Sequence, residues 1–128
     1  MNVHSLFTND SIGNELVNFA QQTAQTLVKN NLTRSQIRNI FAEVRKIETL
    51  WEGTQKSEAL RRLNMLKPKL YYQTARTESV NVLKDVLCAA IDEINNAPDD
   101  TERNKRFHRF VDLFEAILAY HRSEGGKN

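Results

Sequence analysis

Residues 32–53 read LTRSQIRNIFAEVRKIETLWEG, and this stretch decides the fold. Thr33-Arg34-Ser35-Gln36 has capping-box spacing: the Thr33 hydroxyl can accept from the Gln36 N–H while the Gln36 side chain accepts from the Thr33 N–H. Behind that start, Ile37, Ile40, Phe41, Val44, Ile47 and Trp51 recur at i, i+3, i+4 and i+7, one face of an α-helix. Gly53 stands where such a helix would stop. A capped helix with a single apolar stripe is stable only when that stripe is laid against other elements.

Working outward, the rest of the chain repeats the pattern. Before it, a helix is predicted from Asp10 to Asn30, capped by Asp10 or Ser11. Its stripe is Ile12, Leu16, Phe19, Ala20, Thr23 and Leu27, and Asn30-Asn31 breaks it. After it, a third helix is predicted over Ser57 to Ala75 with Leu60, Leu63, Leu66 and Leu70 inward. Pro68 lacks a backbone donor and crowds the preceding turn, so a kink or break is predicted near Lys67. A fourth helix starts at Thr77, carries Val80, Leu83, Leu87, Ala90, Ile91 and Ile94, and ends around Asn95 to Pro98. A fifth, capped by Asp99 or Asp100, buries Phe107, Phe110, Val111, Phe114, Ile117 and Leu118 and ends at Gly125-Gly126. No strand-type alternation, low-complexity tract or long repeat competes. The expected fold class is therefore all-α: one domain over 1–128, a bundle of about five helices, with 1–9 and 123–128 frayed.

Composition agrees. The 128 residues are 40% hydrophobic and 27% charged, with 4 Gly and 2 Pro, values of an ordinary packed domain rather than a disordered or turn-rich chain. One cysteine, Cys88, excludes an internal disulfide and a Cys-based zinc site, and it reads as a small hydrophobe. No apolar run is long enough for a membrane span or a signal peptide, so a cytoplasmic protein without membrane partners is expected.

The net charge of +2 hides a strong segregation. Residues 29–76 carry 11 Lys and Arg against 4 acids, whereas residues 77–102 carry 1 base against 7 acids. A block of that kind either contacts a polyanion or is a solvated face balanced by its acidic neighbour. At about 100° per residue, Arg34, Arg38 and Arg45 form one row beside the apolar stripe of their helix. Arginine stems can pack there while the guanidinium forks stay wet, a geometry suited to phosphate. Arg45 with Glu48 is the competing intrahelical pair. Among the interleaved aromatics, Trp51 lies on the core stripe, while Tyr71 and Tyr72 diverge by about 100°, so at most one is fully inward. An exposed tyrosine there suits RNA or a protein partner alike.

Catalytic and metal signatures are sparse. His4, His108 and His121 have no ligand spacing, and His121 reads as a core or interface histidine, so no metal and no cofactor are expected. Arg103 to His108 matches the R-[polar]-x-x-x-H pattern of HEPN ribonucleases, in which histidine is acid or base and arginine stabilises charge on phosphorus. On one helix those two side chains are about 140° apart and would meet only at a kink or across a dimer.

Three blocks resemble a known family: Leu32 to Phe41; Leu66-Lys67-Pro68-Lys69-Leu70-Tyr71-Tyr72 with Arg76; and Phe107 to Arg122 followed by Gly125-Gly126-Lys127. Together they resemble the small subunit of type III-A CRISPR effector (Csm) complexes. The resemblance implies a non-catalytic helical bundle in antiviral defence that self-associates into a short stack. Its implied partners are target RNA and CRISPR RNA, the backbone subunits that cut the target, and the large polymerase-domain subunit. The RNA-binding residues it implies are Arg34, Arg38, Arg45, Lys67, Lys69 and Arg76, with Lys127 in the tail; Lys46 is grouped with them. Because a guide pairs with any target, contact should go to phosphate and sugar without base readout. Two other functions fit the residues: a structural spacer that never touches RNA, and the metal-independent ribonuclease built on Arg103 and His108.

Overall fold

The computed structural model describes residues 3–9 and 13–128, and every regular element in them is helical. Six α-helices follow in order: α1 (Val3–Thr8), α2 (Asn14–Lys29), α3 (Arg34–Glu52), α4 (Lys56–Arg76), α5 (Asn81–Asn95) and α6 (Asp100–Ser123). A single 3-10 turn over Glu78–Val80 leads into α5. The cap expected at Asp10 or Ser11 and the inward Ile12 lie outside the described residues.

Local chemistry sets most boundaries. The capping box at Thr33 is complete: the Gln36 N–H donates to Thr33 Oγ1 at 3.1 Å, and the Thr33 N–H donates to Gln36 Oε1 at 2.8 Å. Asp99 caps α6 by accepting from the Glu102 N–H at 2.8 Å. At the end of α2, Asn31 takes the left-handed conformation (φ 67°) and Leu32 N–H donates back to the Leu27 carbonyl at 3.0 Å. The end of α6 repeats this arrangement with Gly125 (φ 94°) and the Gly126 N–H donating to the His121 carbonyl at 2.8 Å. Both ends are Schellman motifs, which satisfy carbonyls that the last turn leaves without donors.

α6 is the centre of the bundle, packed on α2, α5 and α3, while α4 closes the far side against α3 and α5. Phe107, Phe110 and Phe114 on α6 are fully buried. Trp51 stacks on Phe107 with ring centroids 4.1 Å apart and planes 8° from parallel, and its Nε1 donates to Asn104 Oδ1 at 2.8 Å. Phe41 meets Phe114 edge to face at 5.0 Å. Offset and edge-on aromatic pairs of this type add roughly 0.5–1.5 kcal/mol beyond their area burial.

Three expectations need correction. Of the first nine residues, those described are not frayed: Val3–Thr8 is helical, with Leu6 and Phe7 buried, and Arg109 Nε donates to the Leu6 carbonyl at 2.8 Å. The other end is also docked, because the Arg34 N–H donates to the Lys127 carbonyl at 2.6 Å and Gly126 is buried. Finally, of the kink or break expected near Lys67, the break is absent: α4 runs as one helix through Pro68. The proline lies on the exposed side, and Leu63, Leu66 and Leu70, buried on both sides of it, hold one helix against the core.

Candidate nucleic-acid interface

The completed cap at Thr33 fixes where α3 begins and therefore which way its arginine row points. Ile37, Val44 and Ile47 are fully buried, which turns the flank carrying Arg34, Arg38 and Arg45 toward α6. α3 and α6 run antiparallel. Trp51 near the end of α3 meets Phe107 near the start of α6, whereas Arg34 at the start of α3 meets the tail beyond α6.

Between the two helices lies a groove of about 270 Å³. Arg34, Arg38 and Arg45 line it from α3, and Glu115, Leu118, Ala119 and Arg122 line it from α6. One end is closed by Arg45, whose Nη2 lies 2.7 Å from Glu115 Oε1 and whose Nη1 lies 2.7 Å from Glu48 Oε1. The hydrogen bond to Glu48, reinforced by the charge of Glu115, holds the Arg45 guanidinium above its already high ordinary pKa. The other end is different. Among the described residues no carboxylate forms an ion pair with Arg34, Arg38, Arg122 or Lys127, and the last three side chains are exposed. The Nε of Arg34 is buried in the wall without an acceptor.

A buried histidine supports this end. His121 Nε2 donates to the Leu32 carbonyl at 2.7 Å, tying α6 to the loop before α3. A side chain at Gly126 would overlap the His121 ring, so a glycine is required where the tail crosses over it. The tail thereby brings Lys127 beside the start of α3.

The remaining predicted residues sit elsewhere. Lys67 reaches across to α5, with Nζ 2.6 Å from Asp92 Oδ1, and that hydrogen bond raises its pKa. Lys69 lies 3.5 Å from Glu43, which is on the flank of α3 about 180° from the arginine row. Lys46 is exposed on α3, and Arg76 is exposed at the end of α4 with its guanidinium 5.8 Å from the Tyr72 ring centroid. The structure thus brings together Arg34, Arg38, Arg45 and Lys127, and it separates Lys67, Lys69 and Arg76 from them. Sequence reading missed Arg122 and Glu115. Their spacing with Leu118 and Ala119 marks one face of α6, but only packing shows that this face meets α3.

Tyr71 and Tyr72 are both exposed, at 58% and 64%. Arg103 and His108 do not converge: Arg103 pairs with Asp100 at 2.6 Å in a pocket beside Trp51, while His108 pairs with Glu52 and opens into a pocket beside α1. Among the described residues no group of three His, Cys, Asp or Glu is placed to hold a metal ion, and no helix is long and apolar enough to cross a membrane.

A family model described as Csm2 Type III-A matches residues 10–127. The chain belongs to that family. It is a small subunit of a multi-subunit type III-A CRISPR effector complex, and the match spans the capping box, the Pro68 segment and the docked tail. Searches of curated proteins and of solved structures return no match for the chain.

Proposed function

We propose that this Csm2 subunit grips the RNA of its effector complex by phosphate, through Arg34, Arg38, Arg122 and Lys127 at the open end of the α3–α6 groove. The observation that carries this reading is that Arg34, Arg38 and Arg122, from two helices, line one groove without carboxylate partners among the described residues, while the tail docks Lys127 by its carbonyl at the same end. Elsewhere in the basic block, Arg45, Arg61, Arg62, Lys67 and Lys69 are paired with the chain's own acids, whereas Lys29, Lys46, Lys56 and Arg76 are in no ion pair among the described residues and line no groove with the arginine row. Guanidinium forks present paired donors to phosphate oxygens and read no sequence, which suits a guide-directed complex. One copy binds weakly, and copies stacked along the RNA convert weak contacts into avidity. The subunit itself is non-catalytic and works in the cytoplasm; cleavage belongs to other subunits.

Ultraviolet crosslinking of target RNA in the assembled complex tests this. Crosslinked peptides are expected from 34–45 and 119–127. Crosslinks confined to other segments, or none to this subunit, would establish a spacer instead.

A further inference from the structure

The phosphate reading uses only the rim of the α3–α6 groove and leaves its interior without a role. That interior is largely apolar, with Phe41 over the buried Ile37 on one side and Leu118 and Ala119 on the other; His121 lies at its base and the Arg45 guanidinium sits 4.8 Å from the Phe41 ring centroid. Its volume of about 270 Å³ exceeds the roughly 150 Å³ cavity that holds a benzene ring, so a purine or pyrimidine fits. The Arg45–Glu115 bridge ties the two helices together at 2.7 Å across one end of the groove. At the open end, Arg34 Nε is a buried donor without an acceptor. An apolar slot behind a cationic mouth matches a flat heterocycle joined to phosphate.

We propose that the groove is a nucleotide pocket, taking one unpaired base of single-stranded RNA between α3 and α6 while Arg34, Arg38 and Arg122 hold the flanking phosphates. The proposal rests on the phosphate reading and adds a base contact to it. The other polar side chains of the lining are engaged within the fold, Glu115 by Arg45 and His121 Nε2 by the Leu32 carbonyl, so contact is chiefly by shape and stacking, which tolerates any base. Guanidinium planes at the mouth can themselves stack on the ring. A base-paired nucleotide cannot enter, so the pocket separates unpaired RNA from duplex.

The test uses the full chain and a short single-stranded RNA carrying one 2-aminopurine, the same RNA with an abasic site at that position, and the corresponding duplex. The abasic RNA is expected to bind about tenfold more weakly than the intact strand, the scale of one stacked base. Ala119→Phe, which fills the slot without removing a cation, should impose a similar loss on the intact strand and none on the duplex. It should also abolish the change in 2-aminopurine fluorescence on binding. Ala119→Leu is the smaller filling, and the abasic comparison on the unsubstituted chain needs no variant. Salt-dependent binding that ignores both the abasic site and Ala119→Phe would overturn the pocket while leaving the phosphate reading intact. An equal loss on single strand and duplex would also overturn it. Absence of salt-dependent binding to any RNA would overturn both.

Discussion

Replacing Arg38 and Arg122 together by alanine gives the sharpest measure of the proposed interface. Each phosphate neutralised contributes about 0.7–0.9 to the negative slope of log K against log salt. Four cations at the groove mouth therefore set a slope near −3, or a loss of roughly 50- to 150-fold between 50 and 200 mM salt. The double variant keeps Arg34 and Lys127, so the slope should fall by about half and the loss over the same range to roughly tenfold. Both side chains are exposed and lack ion-pair partners among the described residues, so the bundle itself should stay folded. Lys69→Ala is the control: Lys69 lies 3.5 Å from Glu43 on the other flank of α3, and its loss should leave the slope unchanged. Fluorescence anisotropy on two RNAs of unrelated sequence reads both effects. A slope change for Lys69→Ala equal to that of the double variant would refute the assignment of the site to one groove. A loss confined to one RNA sequence would refute phosphate-only contact at the rim.

Other predictions concern stability and reactivity. Phe107→Ala removes a fully buried ring stacked on Trp51 and should cost about 3–5 kcal/mol, seen as a lower Tm with red-shifted Trp51 emission; a native Tm would contradict the packing. Gly126→Ala pushes a methyl into the His121 ring and within 2.7 Å of its carbonyl, so a loss of about 1–3 kcal/mol is expected by denaturant titration, together with weaker RNA binding as the tail carrying Lys127 leaves the start of α3. Burial pushes the Cys88 thiol above its ordinary pKa, so the folded chain keeps a proton that the unfolded chain releases. Its contribution to stability is therefore present below about pH 8.5 and declines as pH rises beyond that. Iodoacetamide at pH 8 should label Cys88 slowly until urea unfolds the chain, and equal rates in both states would refute the burial.

Helix periodicity made much of the bundle legible without coordinates. Ile37 to Trp51, Leu83 to Ile94 and Phe107 to Ile117 are buried as their 3.6-residue spacing requires, and the caps at Thr33 and Asp99 are where the side chains predict. The terminal helix α1 was not legible, because a six-residue segment has too few turns to show a period, and its burial of Leu6 and Phe7 depends on a surface formed by α5 and α6. At Pro68 local strain argues for a kink or a break, and the break does not occur because three leucines anchored in the core hold one helix.

The candidate site divides along the same line. Sequence alone determined that Arg34, Arg38 and Arg45 share one flank of α3, because that follows from residue spacing on a single helix. Which cations stand across from them could be decided only by packing: α6 and the tail supply Arg122 and Lys127, while α4 carries Lys69 to the opposite flank. Local geometry is set by bonds between residues a few positions apart, whereas the pairing of surfaces depends on which stripes bury together. Charge, being exposed, leaves no periodic mark of its partner.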